Sequence, residues 1–505
     1  MRGGGPRVRL GRLRHRGPRG LRVRGGQGRA PPLDESPQFA PGRHLRHTRG
    51  SGAPGRGAER LRGAGPGREL IRARAGLLTL LAALSCVACG GGGAKRRIVL
   101  VTIDTLRADS LVPRTMPRTS AFLAEGLFFP VSFAATSTTQ PTHATLLTGL
   151  PPWVHGVTRN GVVLAEKHET LAERLHGAGY STHAVVASFP LHAMFGFEQG
   201  FDRYDDEFDV PYVRVWEGRP TEAGTFYSLS ESVTRHALDA IDAAQGDLQF
   251  FWFHYFDPHD PYGDAVGDPY PVQRLLALAT RGDPGLGAAL VDARARYERD
   301  LGALDRSLGR LLDRLAADER EFETLVVLTA DHGESFGEHG ALGHGKRLTP
   351  EQIEVPLGFV GPRIDPAVRS DVASSEDVAT TLLTWAGVDD AGFAGASLFT
   401  VSETRSAFGM RRTFVETKEE IRTDGRRIPL PEERFYLARG GSLWVGDSSE
   451  VVLDDDSAMP VEGSEADEIR SAFASLGMIL ERVGTGRELL DEDAQAALRA
   501  LGYGR

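Results

Sequence analysis

Cysteine is nearly absent. The 505 residues contain two, Cys86 and Cys89, and none follows position 89. The bulk of the chain therefore has no disulfide to draw on and no thiol nucleophile. A membrane-spanning run is missing too: the most extended apolar stretch, from Ala75 to Ala88, falls short of the roughly 20 residues a helix needs to cross a bilayer. Internal repeats are also lacking, which argues against solenoid and propeller architectures. Acidic residues are scarce at the front. Residues 1–75 hold 19 Arg and only Asp34, Glu35, Glu59 and Glu69 against them, a local charge of +15, so the remainder carries −24 towards the net −9. With 41% hydrophobic and 25% charged residues overall, the chain can bury a large core.

Residues 1–69 are Arg, Gly and Pro with almost no apolar periodicity, so they cannot build a core. A basic tail of this kind can bind nucleic acid, but the adjoining residues favour translated upstream sequence from a misplaced start, and no nucleic-acid partner is expected. Arg72 and Arg74 precede the Ala75–Ala88 run, whose length suits a signal-peptide core. C-V-A-C-G-G-G-G comes next. Residues 70–95 thus resemble a bacterial lipoprotein signal with a Gly tether. Cys89 is the expected lipidation site, with Cys86 as the alternative. The implied location is extracytoplasmic, on the membrane of the periplasm or outer membrane.

From residue 96 the pattern changes. R-I-V-L-V-T-I (97–103), F-F-W-F-H-Y-F (250–256) and T-L-V-V-L-T-A (324–330) are continuous apolar, β-branched or aromatic runs. Such runs form strands buried on both faces of a parallel sheet. They end in Asp104, in Asp257-Pro258-His259 and in Asp331-His332-Gly333-Glu334, and open α/β sheets build their sites at strand carboxyl ends. Residues 169–180, 285–318 and 375–387 read as helices, and 181–188 as a further strand. Leu301, Leu304, Leu308, Leu311 and Leu315 form a stripe on the second helix. The expected fold is α/β: a doubly wound, mostly parallel sheet flanked by helices over residues 96–400. A small C-terminal α+β subdomain follows over 401–505, with strands near 412–416 and 442–453 and helix beyond 465.

The segment T-S-T-T-Q-P-T-H-A-T-L-L-T-G (136–149) predicts a short helix. Pro141 suits its first turn, Thr139 falls at or next to the N-cap, and Gly149 ends it. A hydroxyl there sits among free backbone N–H groups that hold anions. That suits a nucleophile for a phosphate or sulfate ester; an N-cap alone is the simpler reading.

Five motifs in order then carry a resemblance: V-T-I-D-T-L-R-A-D (101–109), P-T-H-A-T-L-L-T-G (141–149), D-P-H-D-P-Y (257–262), T-A-D-H-G-E-S-F-G-E-H-G (329–340) and G-H-G-K (343–346). They resemble the sulfatase family of the alkaline phosphatase superfamily, and A-G-A-S-L (394–398) and L-R-A-L-G-Y (498–503) extend the likeness. One position departs from the pattern. Where sulfatases place the Cys or Ser that becomes formylglycine, followed by Pro and Arg, this chain has Thr139, Pro141 and His143. No formylglycine is expected. The segment is similar there to nucleotide pyrophosphatase/phosphodiesterases, which use an unmodified Thr.

The resemblance implies a hydrolase of phosphate or sulfate esters with Thr139 as nucleophile, acting on a small-molecule, glycan or lipid ester. Asp104, Asp331 and His332 are the implied metal ligands, with Thr139 as the fourth. Thr105 stands where a second Asp is common and His332 where many sulfatases have Asn, which shifts the expected ion from Ca²⁺ toward Mn²⁺ or Zn²⁺. His259 and His344 are the implied catalytic residues on the substrate side, where with Lys346 they contact the ester oxygens and protonate the leaving group. His143 and Lys346 are the implied substrate contacts, with His143 open to orienting the nucleophile or only capping local structure. Asp257, His259 and His344 offer an alternative second metal set. A phosphoryl-group transferase and a non-catalytic binding protein remain open alternatives. His254 is expected in the core, and Glu334, Glu338 and His339 behind the metal ligands.

Overall fold

The computed structural model describes residues 94–505 except 213–214, 217–218, 221–223, 401–404, 414–418, 454–459 and 484–505. The Arg-rich segment, the signal with Cys86 and Cys89, and L-R-A-L-G-Y lie outside the described residues.

Eight strands make one sheet: β1 (Lys95–Ile103), β2 (Leu127–Phe133), β3 (Ser181–Val185), β4 (Arg203–Asp205), β5 (Leu248–Tyr255), β6 (Phe322–Ala330), β7 (Glu354–Val360) and β8 (Ala367–Val368). Their order is β8-β2-β7-β6-β1-β5-β3-β4. β7 pairs antiparallel with both β6 and β2, and the other pairs are parallel. β1 lies between β6 and β5, with Ile103 opposite Ala330 on one side and Tyr255 on the other. The three acid-bearing strand ends are therefore adjacent.

Strand periodicity divides the apolar runs between two cores. Ile98, Leu100, Phe250, Trp252, Leu325 and Val327 enter one; Val99, Val101, Phe251, Phe253, Val326 and Leu328 enter the other. Helices cover both faces. On the first pack α1 (Thr139–Thr148), α2 (Leu171–Gly177) and, further along the chain, the helix Glu376–Ala386; on the second pack α3 (Ser230–Ala243) and α4 (Leu286–Ala317). The α4 leucines 301, 304, 308 and 311 are fully buried, each contributing about 1.5–3 kcal/mol of burial. α2 begins with a capping box, the Thr170 hydroxyl accepting from Glu173 N–H and the Glu173 carboxylate from Thr170 N–H.

The C-terminal region adds the antiparallel sheet β9 (Ser406–Arg412), β10 (Glu433–Arg439), β11 (Ser442–Gly446) and β12 (Val451–Leu453), followed by a helix, Ser464–Val483. Its Tyr436 hydroxyl donates to Ala134 O at 2.7 Å. Several boundaries differ from the sequence expectation. The strand expected over 181–188 stops at Val185, and 442–453 is a hairpin rather than one strand. β2 and β7 escaped the pattern because Pro130 and Pro356 interrupt them. Pro356 sits where the β7–β2 register shifts, an irregularity that tolerates a missing N–H. Among the described residues no helix is long and apolar enough to cross a membrane.

Candidate active site

Asp104 follows β1, Asp331 and His332 follow β6, and Thr139 opens α1 with Thr138 as its N-cap. All of α1 is buried, and Gly149 closes it at φ 60°. Thr139 Oγ1 lies 3.5 Å from His332 Nε2. His332 Nε2 is 3.4 Å from Asp331 Oδ2 and 3.8 Å from Asp104 Oδ1. These four side chains are fully buried. Thr105, next to Asp104, holds a left-handed backbone (φ 55°), uncommon for a β-branched residue and typical of functional sites. Its N–H donates to Asp331 Oδ1 at 3.2 Å, and its carbonyl accepts from the Tyr297 hydroxyl at 2.9 Å.

The carboxylates fit a cation. Among the described residues both oxygens of Asp104 and the Oδ2 of Asp331 have no hydrogen-bond partner, an arrangement buried carboxylates rarely keep. Burial, and then the Asp331 charge, push Asp104 well above the usual carboxylate range. Burial acts the same way on Asp331, but His332, His143 and His254 outweigh it and hold Asp331 low. His332 Nδ1 lies 3.0 Å from Gly333 O, a group that only accepts, so Nδ1 carries the proton. Nε2 then faces the two carboxylates; against burial, their charges raise His332. It is placed to give its lone pair to a cation between them. Asp104, Asp331 and His332 form one convergent ligand set, and His143, His254 and Asp331 a second. The alternative trio Asp257, His259 and His344 is not among the convergent sets of the described residues. There Asp257 Oδ2 accepts from Ser230 N–H, the first residue of α3.

The imidazoles beyond His332 form a row. Its ring centroid lies 4.4 Å from that of His344, and His344 lies 5.0 Å from His259, which stacks on Phe256 at 4.3 Å. His344 Nδ1 faces both oxygens of Glu334 at 3.3 and 3.4 Å. Burial raises Glu334 to about 7. His259 Nδ1 is 2.7 Å from Asp260 O, and its buried Nε2 has no partner. Lys346 lies two residues beyond His344 in the same loop, and burial lowers its pKa. Gly345 between them runs at φ 78°, where a Cβ would come within 3.0 Å of Thr138 Cγ2, so only glycine lets this loop reach the nucleophile segment. The loop is held from behind by a buried ion pair, Arg347 Nε to Glu420 Oε2 at 2.7 Å.

His143 is under the site rather than at its mouth. Nδ1 is 2.8 Å from Thr139 O and Nε2 3.1 Å from Thr102 Oγ1, which accepts from Trp252 Nε1 at 3.0 Å. Three features of the site were not read from sequence. His254 is buried, as expected, yet it also faces Asp104, with Nε2 at 3.6 Å from Oδ2; its shared parity with Trp252 on β5 was the available signal. Nothing in the spacing announced the Glu334–His344 pair or the Trp252–Thr102–His143 chain.

A helix N-terminal hydroxyl, two buried carboxylates with unpaired oxygens and an imidazole row are gathered near adjacent strand ends, an arrangement suited to an anionic ester. Comparison with known proteins agrees. The Sulfatase family model matches residues 96–388, and the chain belongs to that family, within the alkaline phosphatase superfamily of sulfate and phosphate ester hydrolases. A multifunctional alkaline phosphatase superfamily protein of Trinickia caryophylli is 24% identical over 381 residues, covering 58% of this chain and 74% of its own. Two solved structures share the fold. A protein in complex with its substrate D-glucosamine-2-N,6-O-disulfate has a TM-score of 0.54 at 18% identity, covering 79% of this chain and 99% of that one. A phosphonate monoester hydrolase of Silicibacter pomeroyi has a TM-score of 0.55 at 20% identity, covering 78% and 97%.

Proposed function

We propose that this chain is a divalent-metal-dependent hydrolase of phosphate or sulfate esters in which the unmodified Thr139 hydroxyl is the nucleophile. The observation that carries the reading is Thr139 Oγ1 at 3.5 Å from His332 Nε2, beside carboxylate oxygens that have no partner. Asp104, Asp331 and His332 are the residues that would hold the ion, with Thr139 beside them. Bound there, a divalent cation lowers the pKa of an adjacent hydroxyl and neutralises charge on the ester.

In this reading Thr139 Oγ bonds to the phosphorus or sulfur, and the bond to the leaving oxygen breaks. Water then cleaves the Thr139 ester and restores the hydroxyl, so one ester and one water give one alcohol and one inorganic acid. His344, backed by Glu334, is assigned to protonate the leaving oxygen, and His259 and Lys346 to hold the ester. Threonine cannot give formylglycine. His332 and Thr105, where hard oxygen ligands are common, favour Mn²⁺ or Zn²⁺ over Ca²⁺. The substrate is a small-molecule, glycan or lipid ester. The Arg72–Gly93 segment supports a lipoprotein attached through Cys89, or Cys86, on the extracytoplasmic side of the membrane.

The test is turnover of nitrophenyl phosphate, phosphodiester, phosphonate and sulfate esters by metal-stripped protein resupplied with Ca²⁺, Mg²⁺, Mn²⁺ or Zn²⁺. Activity that returns with one ion and falls at least ~10³-fold in Thr139→Ala supports the proposal. Full activity in that variant refutes it.

A further inference from the structure

Three buried imidazoles surround the two carboxylates, and their outer hydrogen bonds fix which nitrogen of each carries the proton. His332 Nδ1 faces the carbonyl of Gly333, so its Nε2 is the nitrogen turned to Asp104 and Asp331. The other two are held differently. His254 Nδ1 accepts from the Ala187 backbone N–H at 3.2 Å, so the proton of the neutral ring is on Nε2. Among the described residues that Nε2–H has no other partner, and it stands 3.6 Å from Asp104 Oδ2, itself without one. Two complementary unpaired groups face each other, and a shift of a few tenths of an ångström satisfies both. His143 Nδ1 faces the Thr139 carbonyl at 2.8 Å, so it too carries the proton, and Asp331 Oδ2 lies 3.8 Å from it. Its Nε2 accepts from the Thr102 hydroxyl, whose oxygen is fixed by the Trp252 indole. The rings meet edge to face, centroids 5.1 Å apart and 79° between planes.

We infer that His143 and His254 are positioning residues, not metal ligands: His254 directs an N–H at Asp104, and His143, whose N–H is taken by the Thr139 carbonyl, fixes the first turn of the nucleophile helix beside Asp331. This rests on the metal-dependent reading above. Of the two convergent ligand sets, only Asp104–Asp331–His332 then takes a cation, because a nitrogen bearing a proton has no lone pair to give. The chain holds one ion rather than two at this point. His143 occupies the motif position where sulfatases carry Arg, and it substitutes a neutral donor for a charged one.

The experiment is titration of metal-stripped full-length protein with Mn²⁺, Zn²⁺ and Ca²⁺ in a calorimeter, beside melting temperatures of the stripped protein. Gln places an amide N–H where His Nε2–H was, and Asn where Nδ1–H was. His254→Leu and His143→Leu are expected to weaken the tightest-binding ion about 10–100-fold. His254→Gln and His143→Asn should recover most of that loss, with one ion per chain throughout. The inference is overturned if Gln and Asn bind as poorly as Leu, since the rings then act through lone pairs or shape. It is equally overturned if the Leu variants lose only melting temperature and keep metal affinity, or if the wild type binds two ions. Failure of the wild type to bind any of the three ions is a different result: it removes the metal-dependent reading itself.

Discussion

Asp300→Asn offers a quantitative check on the interior between α4 and the loop after β5. Asp300 is fully buried on α4; one carboxylate oxygen accepts from Gly263 N–H and the other has no hydrogen-bond partner among the described residues. Burial first, then the charges of Asp257 and Asp264, raise it from 3.8 to about 8. A carboxyl raised on folding is protonated in the native state and ionised in the unfolded chain between those two values. The native state then binds more protons, so stability falls as pH rises from about 4 to about 8. The slope is about 1.4 kcal/mol per pH unit, and four units set an upper limit of about 5–6 kcal/mol. Asn keeps the shape and the acceptor for Gly263 but cannot ionise. Its amide leaves an unpaired donor, costing about 1–3 kcal/mol, much as the protonated acid leaves its own. The two proteins should therefore differ by no more than about 2 kcal/mol at pH 5, and Asn should gain about a further 2–4 kcal/mol by pH 8. Urea unfolding of metal-stripped protein at pH 5, 6.5 and 8 measures this. Parallel pH curves for the two proteins would refute the argument.

Other perturbations test the site and its supports. Thr139→Ser should keep measurable turnover where Thr139→Ala does not, read from initial rates under the best metal. Arg347→Ala leaves Glu420 buried without its closest cation and should cost about 3–5 kcal/mol in denaturant unfolding, with a raised KM because the His344–Lys346 loop loses its brace. Leu304→Ala, remote from the strand ends, should cost about 2–5 kcal/mol and leave kcat at 25 °C unchanged in the same ester assay. Dialysis against a chelator should abolish turnover and lower the melting temperature, both restored by the preferred ion.

The sequence disclosed the parts of the fold whose local pattern agrees with their burial. Runs such as 98–101 and 325–328 are apolar at every position because both faces are covered, and the acids that follow them are visible as breaks. The leucine stripe of α4 reads directly. β2 and β7 were hidden because proline contradicts a strand, and only pairing with neighbours shows that an irregular register accommodates it. Asp104, Asp331, His332 and Thr139 were legible because chemistry and position coincide in each. His254 was not, since one imidazole in an aromatic run looks like packing. Its relation to Asp104 depends on β1 and β5 being neighbours, which no short stretch of sequence encodes. The same holds for His143, whose partners Thr102 and Trp252 come from two separate strands.

Ile103 and Ala330 are partners in the β1–β6 register, so the next residue on each strand is an aspartate of the site. A slip of one residue in that pairing would turn every side chain of one strand to the opposite face and part the two carboxylates. The site thereby acts as a proofreader of sheet alignment: a chain with the wrong register separates these two carboxylates, however well its apolar residues are buried. Insertions are therefore cheap in the loops between these strands and ruinous within them. A lineage of such hydrolases can remodel its substrate pocket freely while the two central strands keep their length.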